Sequence, residues 1–260
     1  MSEMAPTEPR AGKQNEAGWL GEWVRTILVA VLIAVFFRSF IFQPYSIPSQ
    51  SMVPTLQVGD YLFVEKWSYG YSRSSFPFRP PVFEGRVFGS QPERGDVAVF
   101  KAHHANYIDF IKRVIGLPGD SIQMRQGQLF INGQPVQKTR INNFDYWQQR
   151  NGMEFPVARF IETLPNGVSY EVLDLEANYV SDDTPVYIVP EGHYFMMGDN
   201  RDNSADSRYS NGLSFVPAED LVGKATYRWI SVAKGGSFWK FWDWRPERMF
   251  ESLTYRSPEG

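Results

Sequence analysis

Three short stretches of this chain hold side chains able to do chemistry. The first, Ser46-Ile47-Pro48-Ser49-Gln50-Ser51-Met52-Val53-Pro54-Thr55-Leu56, carries three serines among two prolines. Each proline fixes its own φ and restricts the residue before it, so the stretch is extended and stiff. That suits a linker, and it also suits a rigid loop holding one serine hydroxyl and its backbone N–H at a catalytic site. A serine nucleophile needs a base. His103 and His104 share a polar loop and His193 opens a strand, none beside an obvious acidic partner. Triad members are distant in sequence, so a Ser-His-Asp site stays open, whereas no H-x-x-x-H spacing offers a metal site.

A lysine is the better candidate base. Tyr107 to Gly116 reads as a strand, and its period of two puts Ile108, Phe110, Lys112 and Val114 on one face, with Asp109 and Arg113 opposite. A strand lysine is ordinarily an exposed edge residue. One packed among Ile, Phe and Val is desolvated, which moves its pKa from about 10.4 toward the ~7–8 useful to a general base. A neutral amine can take the proton of a serine hydroxyl, which makes a Ser-Lys dyad. The third stretch, Gly198 to Arg208, contains Asp199, Asp202 and Asp206. It lacks the alternating D-x-[DN]-x-[DN]-G order of a calcium loop, and Arg201 and Arg208 intrude. It reads as Asx turns and Asp–Arg pairs pinning an irregular loop, in which Ser204 is a small hydroxyl able to fix a buried amine.

These stretches need elements to position them. The chain has 260 residues, 26 Lys+Arg against 29 Asp+Glu, three His, no Cys and 16% aromatic residues with eight Trp. The length supports a real core, and the balanced charge argues against a disordered chain or a nucleic-acid binder. The absence of Cys excludes a disulfide framework, a thiolate metal site and a Cys nucleophile. Residues 1–18 read as a disordered tail. Ile27 to Phe37 is an unbroken apolar run, and residues 19–42 reach the roughly 20 positions a spanning helix needs, with Trp19 and Trp23 at an interface and Arg38 snorkelling. A core helix would show a polar stripe, and a cleaved signal would end in small residues rather than Phe36-Phe37-Arg38. An uncleaved signal-anchor fits. Arg10, Lys13 and Arg25 precede it, and beyond Arg38 no Lys or Arg occurs until Lys66, which keeps the tail in the cytoplasm and the bulk outside.

The exterior part reads as mostly β. Strands are expected at Tyr61 to Lys66, Asp96 to Lys101, Tyr107 to Ile115, Leu129 to Ile131, Thr184 to Val189, His193 to Met197 and Ala225 to Val232. Gly-Asp recurs at 59–60, 95–96, 119–120 and 198–199 as a turn signal. Residues 43–120 and 184–235 form one β domain in this reading, and 121–183 a smaller inserted β subdomain. The segment 236–260 contains Phe238 to Phe250 with three Trp, which suits either a cap on the β core or, together with Trp67, a belt on lipid headgroups.

Taken together, the serine stretch, Phe110 to Asp120 and Gly198 to Arg208, with Arg94 to Phe100 as a further box, resemble the signature boxes of bacterial type I signal peptidases, in the same order behind an anchor. The resemblance covers residues 27 to 223. It implies Ser51 as nucleophile, Lys112 as general base, Ser204 as the serine that orients the lysine, and Ser49 with the Ser51 N–H as oxyanion hole. Asp199, Asp206 and Arg208 take structural positions around Ser204. It further implies a mainly β fold behind one transmembrane helix, at the inner (plasma) membrane with the catalytic domain on the outer face. The implied substrates are exported preproteins cut after Ala-x-Ala; the lipid bilayer is a partner, nucleic acid is not, and no metal or organic cofactor is called for. Family members with two anchors place a cytoplasmic loop between them, whereas this chain shows one apolar segment. The non-enzyme alternative is an anchored β module that uses the same loops for binding.

Overall fold

The computed structural model describes residues 16–76, 84–102, 106–147, 153–175, 179–209, 213–233 and 235–253. Helix α1 (Glu16–Phe40) starts inside the stretch read as tail and ends two residues short of the expected boundary. Its apolar portion, Gly21–Phe40, has 20 residues, about 30 Å at 1.5 Å each, which matches the hydrocarbon core of a bilayer. Val24, Leu28, Leu32 and Phe36 all stand more than half exposed, so the helix belongs to no protein core.

The chain leaves α1 directly as strand β1 (Phe42–Ser46), which pairs antiparallel with β2 (Asp60–Glu65). Pro44 is tolerated because β1 is an edge strand. An eight-stranded sheet follows the order β1-β2-β14-β3-β4-β12-β13, with β15 also on β14. Here β3 is Val97–Ala102, β4 Ile108–Gly116, β12 His193–Met197, β13 Val216–Pro217, β14 Leu221–Ser231 and β15 Glu251–Ser252. Two smaller sheets lie between β4 and β12 in sequence. One joins β5 (Ser121–Arg125), β6 (Gln128–Ile131), β7 (Gln134–Pro135) and β11 (Tyr187–Ile188); the other joins β8 (Gln137–Trp147), β9 (Glu154–Thr163) and β10 (Ser169–Asp174). Their apolar side chains share a core with Ile115, Phe195 and Met197 of the large sheet. The mainly β fold behind one apolar helix agrees with the sequence reading. The strand expected at Thr184 to Val189 shrinks to β11, because the Thr184 hydroxyl accepts from Met124 N and Pro185 has no N–H to donate.

Strand β4 positions the site. β3 pairs with it along Ile108 to Arg113, but β12 reaches only Arg113 to Gly116. Among the described residues, Ile108 to Lys112 therefore has no strand on its second side. The Gly-Asp signal is built the same way three times. At Asp60, Asp96 and Asp120 the backbone N–H donates to the carbonyl three residues earlier, and the carboxylate accepts that residue's own N–H, from Gln57, Glu93 and Leu117. Gly59, Gly95 and Gly119 precede them at φ +92°, +97° and +87°, the left-handed conformation required at the third position of such turns.

The C-terminal segment is partly packed on the β core and partly exposed. Phe238 packs among Tyr61, Trp229 and Trp244, and Trp244 Nε1 donates to Phe238 O at 3.0 Å. Trp239, Phe241 and Trp242 stand 87%, 72% and 67% exposed.

Gly59 and Gly119 isolate two effects. A Cβ on Gly59 would lie 2.2 Å from the Val232 carbonyl oxygen, whereas one on Gly119 meets nothing within 4 Å. Gly119→Ala should cost about 1 kcal/mol for its φ alone, and Gly59→Ala at least about 2 kcal/mol, in denaturant unfolding. Equal losses would refute the close approach.

Candidate active site

Residues 50–56 form a compact turn, with Val53 N donating to Gln50 O and Leu56 N to Met52 O. Met52 and Leu56, four apart, sink into the core under β1 and β2, while Val53 enters a separate core with Tyr146, Val157 and Leu173. The turn is gripped from two sides, and Ser51 lines the cleft. That cleft, about 840 Å³, runs between Pro48–Ser51 and Ile108–Lys112, with Leu175, Tyr179 and Asn203 among its other walls.

Lys112 and Ser51 meet there. Lys112 Nζ lies 2.5 Å from Ser51 Oγ, and the lysine is only 3% exposed. Ser49 sits on the exposed lip with its Oγ 3.4 Å from Ser51 Oγ. The Lys112 pKa is lowered to about 8: burial is the main cause, the Asp206 and Asp199 charges pull the other way, and the Arg208 charge adds to the lowering. Both acids are already paired. Asp199 is held by Arg113 through Nε at 2.8 Å and Nη2 at 2.6 Å, and Asp206 by Arg208 through Nε at 2.8 Å and Nη2 at 2.9 Å. Burial alone would raise the Asp206 carboxyl; the Arg208 guanidinium and the Gly198 N–H outweigh it and hold it below its ordinary value. A low lysine pKa does not by itself mark the site. Lys66 is equally buried, with a pKa also lowered to about 8 mainly by burial, yet its Nζ donates to the Ser75 carbonyl.

The third stretch is tied to the turn bearing Ser51 by its backbone. Asn200 N donates to Ser51 O at 3.1 Å, and Asn200 Nδ2 to Gln50 O at 3.0 Å. The fourth Gly-Asp pair is thus no turn of the recurrent kind. Gly198 has no Cβ because one would lie 2.2 Å from Ser204 Oγ and 2.5 Å from Ser51 O, so this glycine lets the two serines approach. Ser204 Oγ is buried and makes no hydrogen bond among the described residues. The bond to the Lys112 amine expected from the resemblance is absent here, and that amine donates to Ser51. Asp202 accepts from Leu175 N at 2.7 Å. Among the described residues no three His, Asp or Glu gather as metal ligands would.

Sequence reasoning missed three partners. Arg113, placed on the strand face opposite Lys112, is 2% exposed: that face is covered too, with the Tyr170 ring 4.1 Å from its guanidinium. Thr55 donates to Asp199 Oδ2 at 2.5 Å, and Asn200 ties the two loops. The expected Asp–Arg pairing inside the loop holds for Asp206–Arg208, but Asp199 and Arg201 find partners far away, in Arg113 and Glu162. Only the Arg beside the lysine could have hinted at this. Of the histidines, His193 Nδ1 donates to Glu191 O and does not line the cleft, while His103 and His104 lie outside the described residues.

Residues 20–230 match the family model for signal peptidase, peptidase S26. The chain belongs to this family. It is 39% identical over 234 residues to a signal peptidase I of Rickettsia massiliae (strain Mtu5), covering 87% of this chain and 84% of that protein. It is 40% identical over 219 residues to one of Rickettsia canadensis (strain McKiel), covering 81% and 80%. A crystal structure of a signal peptidase I from Enterococcus faecalis V583 is 28% identical and covers 53% of this chain and 98% of its own, with a TM-score of 0.31. Membership rests on the sequence matches and makes the chain a serine peptidase.

The Arg113–Asp199 pair and Ser204 should respond oppositely to truncation. Asp199→Ala strands a buried guanidinium and should cost about 3–5 kcal/mol. Ser204→Ala removes a hydroxyl with no partner and should cost less than about 1 kcal/mol. Denaturant melts of the two variants check this, and a Ser204→Ala loss as large as that of Asp199→Ala would contradict it.

Proposed function

We propose that this family member removes signal peptides from exported preproteins at the outer face of the membrane, cutting after Ala-x-Ala through a Ser51–Lys112 dyad. The observation that carries the reading is the desolvated Lys112 amine 2.5 Å from the Ser51 hydroxyl at the wall of an open cleft. The substrate lies extended beside Ile108 to Ile111, beyond the end of β12 pairing at Arg113, and takes backbone hydrogen bonds as an added strand. Neutral Lys112 accepts the Ser51 proton as Oγ attacks the scissile carbonyl. Negative charge then develops on the carbonyl oxygen, where the Ser51 N–H and the Ser49 hydroxyl receive it. The protonated Lys112 gives its proton to the leaving amine as the C–N bond breaks, leaving an acyl-serine. A water, deprotonated by the same amine, hydrolyses that ester and restores both groups. Ser204, packed against Gly198, takes the lysine amine when it turns away from Ser51.

Attachment to the bilayer follows from α1, with its N-terminus in the cytoplasm. The exposed rings extend the contact. Phe42 stacks edge-on with Trp67 at 4.7 Å and reaches Phe63 at 5.7 Å; Phe63 stacks on Trp229 at 5.2 Å, and Trp229 reaches Phe238 at 6.2 Å. This aromatic row starts two residues beyond the anchor and ends at the Trp239–Trp242 crown, which favours the belt reading for those exposed rings.

Purified protein and a preprotein, with products mapped by mass, test the cleavage. Ser51→Ala should abolish it, and Lys112→Arg should be as inactive as Lys112→Ala, because a guanidinium stays charged near neutral pH. The reactive form is the unprotonated amine, so kcat/KM should rise about tenfold per pH unit below about 8 and level above it. Cleavage by the Arg variant would end the lysine-base mechanism. For the belt, full-length chain in vesicles with brominated acyl chains should lose much of its tryptophan quenching on Trp239→Phe/Trp242→Phe substitution; unchanged quenching would place those rings in water.

A further inference from the structure

Resting on the peptidase reading above, we propose that the C-terminal segment clamps the nucleophile loop through Arg245 and Arg248, which makes both of them positioning residues for the reaction. Nothing in the catalytic steps uses these arginines, yet their guanidiniums reach Thr55, Gln57, Val58 and Asp60 of the loop that follows Ser51. Arg245 Nη1 donates to Gln57 Oε1 at 2.7 Å, and its Nη2 to Val58 O at 3.0 Å and to Asp60 Oδ1 at 3.1 Å. Arg248 Nη2 donates to Asp60 Oδ2 at 2.8 Å and to Thr55 O at 3.4 Å. The Arg248 carbonyl in turn accepts from Arg228 Nε, and Arg228 Nη1 donates to the same Thr55 carbonyl at 2.8 Å.

Thr55 is the joint. Its hydroxyl is bound to Asp199, which is locked to Arg113, the residue next to Lys112. Its carbonyl is bound by the clamp. Four residues earlier stands Ser51, in the turn closed by the Leu56–Met52 backbone bond. Asp60, fully buried, closes the far end: it accepts from Gln57 N and Ser231 Oγ as well as from the two clamp arginines. The clamp itself is anchored at Ser231, whose carbonyl accepts from Arg245 N, and at β15 on β14. The loop from Thr55 to Asp60 is therefore held on one side by the Arg113–Asp199 ion pair and on the other by the C-terminal segment. Loosening the second side leaves Lys112 in its pocket but lets the Ser51 hydroxyl drift from the amine, and a displacement of about 1 Å is enough to cost a large factor in rate.

The test uses the full-length protein in detergent micelles with a preprotein, and Lys240→Ala as control, since Lys240 is a cation of the same segment outside the clamp. Active sites are counted by titration with a serine-directed phosphonylating probe. Arg248→Ala and Arg245→Ala should each lower kcat per titrated site about tenfold, with KM within about twofold of wild type. The acid limb of the pH profile should stay where wild type has it, and Arg248→Lys should recover part of the loss. Two results overturn the clamp: a double Arg245→Ala/Arg248→Ala variant whose kcat per site equals that of the control, or a loss of activity matched by a loss of titratable sites, which is a folding effect alone. Failure of wild type to cut the preprotein sinks the peptidase reading and the clamp with it, whereas an active wild type beside an unaffected double variant rejects the clamp alone.

Discussion

The burial of one lysine amine against a serine hydroxyl organises much of this molecule. An amine in water is a cation at neutral pH, and burial is the main force that moves it. Burial alone would be undone by nearby carboxylates. Asp199 and Asp206 both act on Lys112, and each is closed off by its own guanidinium, from Arg113 and Arg208. The ion pairs around the site therefore also hide acidic charge from the lysine. That is a different use from stability, where a buried pair gains little over apolar packing.

Placing the partner hydroxyl is a packing problem. The turn 50–56 sends Met52 and Leu56 into one core and Val53 into another, so it cannot rotate without opening two apolar clusters. Asn200 then fastens its carbonyls to the loop that carries Ser204, and Gly198 clears the space between them. The same logic reaches the cleft. A central strand would be paired on both sides, but β12 stops at Arg113, so among the described residues the half of β4 leading to Lys112 has no second neighbouring strand. Access for an extended chain and burial of the amine come from one strand, whose far half is fully enclosed.

The apolar helix is linked to the same loops. β1 leaves α1 at once and pairs with β2, so four residues separate the last strand residue, Ser46, from Ser51. Rings on β1, β2 and β14 continue to the exposed crown at Trp239 to Trp242, and the segment bearing that crown returns through Arg245 and Arg248 to the loop after Ser51.

Read alone, the chain determined its classes of element and its chemistry. An uninterrupted apolar run can only be a lipid-facing or fully buried helix, and alternation with Gly-Asp turns can only build β structure. Lys112 in an apolar row already carried the argument for a neutral amine. Three of the four Gly-Asp pairs form one turn because that turn is local: glycine supplies the φ and aspartate caps three residues back. What tertiary structure alone decided was partnership at a distance. Period two gave Arg113 a face but not the Tyr170 ring or Asp199 that fill it. Charge order suggested pairs within the third stretch, and two of its charged groups instead went to Arg113 and Glu162. Gly198 looked like a fourth turn and is a contact point between Ser51 and Ser204. Local geometry is written in neighbours along the chain, whereas which buried charge meets which depends on how sheets stack, and no spacing in one sequence encodes that.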